Sequence, residues 1–403
     1  MPIKIKYYIL FFIPFFFLLY SESLEFGGMS VSQLWKIPLA GYLIYYLFQY
    51  RHMPTPKWSQ FQYWLSLKYF VKVNNIATFM PNMMSAFKAL FLPLLFNFFC
   101  NKQWKAATLK KVLLVVSQYF ILTNIPFMLG MKTLKTGVDY GNFVAYTGIF
   151  QYQHAMSVIM AICIIVILDE FKRGGFSTRF SRIYNVGLIV LASYAMYLGF
   201  ARTGWLMCVL AVIVLFLPKN MNVRQWIGII TIIMVLVVGF VYLFENNAHF
   251  HDRIVGNDLQ THQKINIDSG RSEYIEIAWH RYTNGTVPEL LFGISYEEVR
   301  EVILEKTGLH IGAHNGFVDM LAANGVVGLG LMLLFIFSLL GYIWKRKRAL
   351  SFRLAMAMWV MYFSFQMTQG GYMFHSDLLY ALIYCILEKE YHQADELNNI
   401  EEC

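Results

Sequence analysis

Charge is scarce in this chain. Only 14% of its 403 residues are Asp, Glu, Lys or Arg, against about a quarter in an average soluble domain. That shortage excludes a soluble globular enzyme, and with it a disordered chain, whose composition is rich in charge. Cysteine is scarce too. Five are too few for a disulfide framework. Cys100, Cys163, Cys208 and Cys385 lie in or at the ends of apolar runs and Cys403 is the last residue, so free thiols are expected. The sequence lacks a Walker loop, a Rossmann glycine pattern, a G-x-S-x-G elbow, an H-E-x-x-H motif, a fixed-period repeat and any low-complexity tract. What it has is apolar: 58% of residues, 17% aromatic, with a mean hydropathy of +0.48. The apolar residues fall in long runs, which marks a polytopic membrane protein.

Stretches near the roughly 20 residues needed to span a bilayer fall at 7–20, 32–50, 60–73, 79–99, 111–131, 145–168, 183–200, 203–217, 226–244, 316–343, 352–369 and 371–388. The first follows Lys4 and Lys6 and has no small-x-small cleavage site after it, so an uncleaved helix is expected. Twelve spans put both termini on one side. Net charge is +9, and its placement sets orientation. The loops holding Lys4/Lys6, Arg51/Lys57, Lys102/Lys105/Lys110/Lys111, Lys172/Arg173/Arg179/Arg182, Lys219/Arg224, Lys345–Arg348 with Arg353, and Lys389 all fall on one side. They carry most of the basic residues, and the positive-inside rule makes that side cytoplasmic. These short, scattered runs suit topology and lipid headgroups rather than nucleic acid.

The expected fold is therefore all-α. It comprises transmembrane helices 1–9 over residues 1–244, a large folded extracytoplasmic loop over 245–313, helices 10–12 over 314–388, and a polar, frayed cytoplasmic tail over 389–403. Within the large loop, helical patterning covers Ser272–Tyr282 and Glu297–Lys306, broken by Pro288 and Gly293.

Three outer-side features combine charge with an awkward position. Arg202, in Leu198-Gly-Phe-Ala-Arg-Thr-Gly-Trp205, sits where two spans meet with almost no loop. A guanidinium there is costly unless it snorkels or meets an anion, and an outer Arg opposes the positive-inside bias. Arg271 follows Asp268-Ser-Gly and opens a helix whose dipole disfavours a cation, a placement that makes sense beside a bound anion. The alternative is a solvated Arg paired with Glu273 or Asp268. His314, in Gly312-Ala-His-Asn-Gly-Phe317 at the entry to the tenth span, is expected to be mostly neutral and able to take a proton, or else to cap the helix or anchor at the lipid interface. His154 lies near the outer end of the sixth span, packed or lining a cavity. Lys88 is read as snorkelling or meeting an anionic lipid, and His375 and Asp377 as a solvated cap. The spacing of His249, His251 and His262 fits no zinc pattern, so no metal is expected.

The segments Gly148-Ile-Phe-Gln-Tyr-Gln-His-Ala155, Ala201-Arg-Thr-Gly-Trp205, Asp268-Ser-Gly-Arg271 with Leu291-Phe-Gly293, and His314-Asn-Gly-Phe317 running to Gly325-Val-Val-Gly328 together resemble the O-antigen ligase and O-antigen polymerase superfamily of bacterial surface-polysaccharide enzymes. The resemblance covers roughly residues 140–345; the N-terminal third matches by hydropathy alone. It implies an inverting, metal-independent and cofactor-free glycosyl transfer at the outer face of the bacterial inner membrane. The donor would be an undecaprenyl-pyrophosphate-linked glycan, and the acceptor a glycan or lipid-linked hydroxyl. Arg202 and Arg271 would bind the pyrophosphate, His314 would be the base or orient the acceptor, and Asn315 and His154 would contact substrate. Gln151-Tyr-Gln-His154 stands where relatives often carry an Asn-Pro-rich turn. Polymerase is favoured over ligase by family analogy alone. A lipid-linked sugar flippase is the reading from another class, but it predicts repeat symmetry between halves, which this sequence lacks.

Overall fold

The computed structural model describes residues 25–26, 29–49, 56–69, 76–102, 104–129, 138–139, 144–150, 152–199, 201–217, 271–371 and 373–401, with positions 242 and 246. Helices dominate them: α1 (Val31–Gln49), α2 (Lys57–Lys68), α3 (Ile76–Asn101), α4 (Ala106–Leu122), α5 (Ile125–Met128), α6 (Gln153–Lys172), α7 (Arg179–Gly199) and α8 (Arg202–Phe216), then α9 (Arg271–Thr283), α10 (Val287–Phe292), α11 (Tyr296–Thr307), α12 (Gly316–Lys345), α13 (Phe352–Thr368) and α14 (Phe374–Glu401). Two antiparallel pairs of two-residue strands, Glu25–Phe26 with Met29–Ser30 and Val138–Asp139 with Val144–Ala145, are the other regular elements.

Ten of the twelve apolar stretches thus correspond to described helices, while 7–20 and, apart from Tyr242, 226–244 lie outside the described residues. Among the described residues, three helical stretches are long and apolar enough to cross a membrane: Ala106–Met128 (α4 with α5), Gln153–Lys172 and Gly316–Lys345. Boundaries shift from the hydropathy reading for physical reasons. The stretch 111–131 is interrupted at Thr123 and Asn124, because Asn124 donates its side-chain amide to the Phe120 carbonyl and Pro126 opens the short α5. The stretch 145–168 becomes helical only at Gln153, since its first residues pair with other segments, Tyr146 N–H donating to the Leu198 carbonyl.

Hydrogen bonds at the helix ends fix the directions of packing. Lys172 Nζ donates to the Leu215 carbonyl, so α6 and α8 run parallel. Arg173 donates to the Leu350 carbonyl, so α13 runs antiparallel to α6. Trp359 Nε1 donates to Ile336 O at 2.9 Å, joining α13 to α12. The starts of α6, α8 and α12 and the end of α13 therefore share one end of the bundle. The opposite end is rich in ion pairs: Lys110 with Glu390, Arg173 with Asp169, and Arg346 with Glu388. Here the frayed tail expected from residue 389 is corrected. The last helix runs through that boundary to Glu401, and the buried Glu390 accepts from Ser351 N–H at 2.7 Å, so burial and pairing extend the helix.

Residues 271–313 form a cap of three short helices with its own apolar cluster, in which Tyr274, Ile277, Tyr282, Val299 and Ile303 meet Ala322 and Ala323 of α12. Pro288 and Gly293 fall between α9 and α11, where the pattern is broken; Pro288 sits in the first turn of the short α10, where proline is tolerated, and Gly293 ends that helix. The cap is tied down by Arg281, which bridges Glu289 and Glu298.

Gly293 and Gly325 explain each other. Gly325 leaves helical geometry inside α12 (φ 67°, ψ −172°). The freed carbonyls of Ala322 and Ala323 accept instead from Ile294 and Ser295 N–H at 2.9 and 3.1 Å. A Cβ on Gly293 would lie 2.2 Å from the Ala323 carbonyl carbon, and one on Gly325 would lie 2.3 Å from Leu291 backbone, so neither position has room for a side chain. Lys68, only 6% exposed, closes the joint by donating to the Phe292 carbonyl and to Asn324 Oδ1. Two of the motif segments are thus a structural joint that seats the cap on a broken membrane helix.

Candidate active site

The turn ahead of α12 carries His314 in the left-handed region (φ 55°), a conformation that costs energy for a residue with a Cβ. Three contacts hold it there. Ala313 N–H donates to Asp319 Oδ1 at 2.8 Å. Asn315 Oδ1 accepts from Phe317 and Val318 N–H at 3.1 and 3.2 Å, capping α12. Gly316 presses on Gly370, where a Cβ would lie 2.7 Å from the Gly370 Cα. The imidazole is thereby aimed at the end of α13, its Nδ1 lying 3.3 Å from Gln369 Oε1.

Gln369 also reaches His154, with Nε2 to Nε2 at 3.4 Å. Arg271 joins from the cap, its Nη1 donating to the Thr368 carbonyl at 3.2 Å. The Tyr274 ring stands 6.2 Å from the His314 ring. Thr368 and Gln369, adjacent residues at the end of one helix, thus collect Arg271, His314 and His154. Burial holds the His314 pKa below its ordinary 6.5, and the Arg271 charge pushes the same way, against a smaller opposing effect from the Gln369 hydrogen bond. That direction favours the neutral imidazole, with burial as its first cause.

Arg202 reaches the same end of the bundle by another route. It is the first residue of α8, half-buried, at the corner after α7. That corner is pinned to the start of α6: Ser157 Oγ lies 3.5 Å from the Ala201 carbonyl, and Gly204 leaves no room for a Cβ against Ser157. Arg202, Arg271 and the His314–Asn315 turn therefore each mark a helix N-terminus at one end of the molecule. Helix N-termini carry partial positive charge, which adds to that of the two guanidiniums at this end.

Several residues escaped the sequence reading. Gln369 is neutral and 55 positions from His314, so neither charge nor spacing marks it. Asp319 did carry a signal, an acid within an apolar run. The solvated cap expected for His375 and Asp377 is corrected: they are 7% and 2% exposed, enclosed where α14 begins, with the His375 ring against Phe120, Phe150 and Phe374. Lys88 is exposed on α3. His249, His251, His262 and Asp268 lie outside the described residues. Among the described residues no group of three or more His, Cys, Asp or Glu is gathered in a way that would hold a metal.

The described residues form an apolar helical bundle with a folded cap, in which Arg271 of the cap and His314 meet at the end of α13. Residues 187–333, which contain Arg202, Arg271 and His314, match the family model described as O-antigen ligase. His154 and Gln369 lie outside the matched residues. No curated protein matches the chain.

Proposed function

We propose that the protein is a membrane glycosyltransferase of surface-polysaccharide synthesis, with twelve spans, both termini in the cytoplasm and its capped end at the outer face of a bacterial inner membrane. The donor is a glycan on undecaprenyl pyrophosphate, and the acceptor is a sugar hydroxyl. The observation that carries this reading is the gathering of Arg271 and His314 at Thr368–Gln369. His314 accepts the acceptor's proton as the acceptor oxygen bonds to the donor's anomeric carbon. The bond from that carbon to the pyrophosphate oxygen breaks on the opposite face, inverting the centre. Arg202 and Arg271 take up the charge left on the departing pyrophosphate, a task for cations rather than for an acid. His154 and Asn315 border the acceptor side, although Asn315 spends its Oδ1 on capping α12.

Polymerisation of repeat units on the lipid carrier is the reaction we favour. Transfer of a finished chain to lipid A–core or another acceptor is the second reading, favoured by the description of the matching family. Deleting the gene and separating the cell's glycans by electrophoresis tests both. Surface glycan of a single repeat supports polymerisation, and long chains held on undecaprenyl pyrophosphate support ligation. Unaltered glycan bonds with donor stranded on the inner leaflet would point instead to a flippase.

A further inference from the structure

Gln369 lies between two imidazoles and cannot easily leave. Its own N–H and that of Gly370 both donate to the Phe365 carbonyl, at 2.8 and 3.0 Å. Gly370 (φ 73°) is pressed against Gly316, and Gly371 (φ 95°) turns the chain toward α14. Both backbone flanks of the residue are therefore fixed. Its carboxamide spans the gap between the rings, with Oε1 3.3 Å from His314 Nδ1 and Nε2 3.4 Å from His154 Nε2.

A carboxamide has unlike ends: the oxygen only accepts and the nitrogen only donates. Between two imidazoles it imposes opposite demands. The ring facing the oxygen must carry a proton on the facing nitrogen, and the ring facing the NH2 must present a bare one. Building on the proposed role of His314, we infer that Gln369 is a positioning residue that fixes the proton of His314 on Nδ1 and leaves Nε2 bare as the atom that accepts the acceptor's proton. His154 is set the other way, with Nε2 bare toward the amide.

The two rings are thereby coupled. When His154 gains a proton on Nε2 it opposes the amide NH2, and the carboxamide must turn over. That turn brings its NH2 to His314 Nδ1, shifts the His314 proton to Nε2, and removes the base. His154 protonation thus silences His314 without contact between the rings. The other groups facing His314 are the Arg271 guanidinium and the Tyr274 ring from α9, with the Asp319 carboxylate bound one residue away at Ala313. None of these imposes a tautomer on Nδ1 as Gln369 does.

The test is magic-angle-spinning NMR of the full chain in bilayers with 15N,13C-labelled histidine, assigning His314 by the signals lost in His314→Ala. The inference predicts His314 protonated on Nδ1 in the neutral form. Gln369→Ala should turn it to Nε2–H or a mixture. Gln369→Glu should keep Nδ1–H and move the His314 titration up by about one pH unit, because a carboxylate favours imidazolium. His154→Phe should remove the tautomer change on acidification while leaving Nδ1–H at neutral pH. Nδ1–H with unchanged titration in both Gln369 variants overturns the inference, as does Nε2–H in the unaltered chain. Cellular glycan output separates this failure from failure of the proposed function. Wild-type output from His314→Ala refutes His314 as base whatever its tautomer. Lost output in His314→Ala with wild-type output and tautomer in Gln369→Ala refutes only the role of Gln369.

Discussion

His314 shows how a backbone choice becomes chemistry. A left-handed histidine persists only where its surroundings over-determine it, and Asp319, Asn315 and Gly370 supply the constraints. To accept a proton the ring must be neutral, and its pKa is held below 6.5 by burial first and by Arg271 second. Activity limited by this base is therefore present above that depressed value and falls as pH drops through it. Arg271→Gln removes one of the two depressing causes, so the acid limb of glycan formation by isolated membranes should move up toward 6.5, alongside an overall loss in rate. Asn315→Ala removes the cap of α12 at a cost of about 1 kcal/mol, which should appear as a lower thermal midpoint and a weaker product yield. Position alone marked Arg202, Arg271 and His314 in the sequence, because a charged or titratable group at the edge of an apolar run has few inexpensive explanations. Gln369 was invisible for the converse reason, since a neutral amide after an apolar run reads as an ordinary helix end.

At the scale of elements, the decisive feature is the joint between the cap and the broken α12. Hydropathy located α12 to within a few residues, yet it could not show that the helix is interrupted at Gly325, because the interruption is stabilised by Ile294 and Ser295 from another segment. The glycines of the joint and an ordinary helical glycine should separate clearly. Gly293→Ala forces a side chain into the α12 backbone and should unseat the cap, lowering thermal stability and glycan output together. Gly330→Ala in the same α12 meets nothing within 4 Å, and it should be neutral or stabilising by up to about 1 kcal/mol. Lys68→Met strips the ammonium from the Phe292 carbonyl and Asn324, leaving buried polar groups unmet at about 1–3 kcal/mol. Its expected mark is faster proteolysis within residues 271–313 of the bilayer-inserted protein.

Across the described residues, both ends of the bundle carry ion pairs. One end is braced by Lys110, Arg173, Arg346, Glu388 and Glu390. The other brings Arg271 of the cap together with His314 and Gln369, carries Arg202 at the start of α8, and has its cap held by Arg281, Glu289 and Glu298. Pairing with Arg281, aided by Thr286 N–H and hydroxyl, pulls Glu289 from its ordinary 4.5 to about 2. A depressed carboxylate contributes stability that is complete above 4.5 and lost as pH falls toward 2, by about 1 kcal/mol or less for a pair this exposed. Glu289→Gln should therefore weaken the cap at neutral pH and flatten its acid sensitivity, as read by hydrogen exchange of 271–313. The apolar majority of the sequence announced the bundle, and its scarce charges announced both ends, whereas the contacts that make one end a site come from residues far apart in the chain.

The central claim is that His314 and Arg271 together act on a lipid-linked anion. It is tested most directly by complementing a gene-deletion strain with His314→Ala and Arg271→Ala at matched membrane protein levels and measuring surface glycan by gel. The account predicts that both variants leave the strain with the glycan defect of the deletion. Wild-type chain length and surface attachment from both would contradict it.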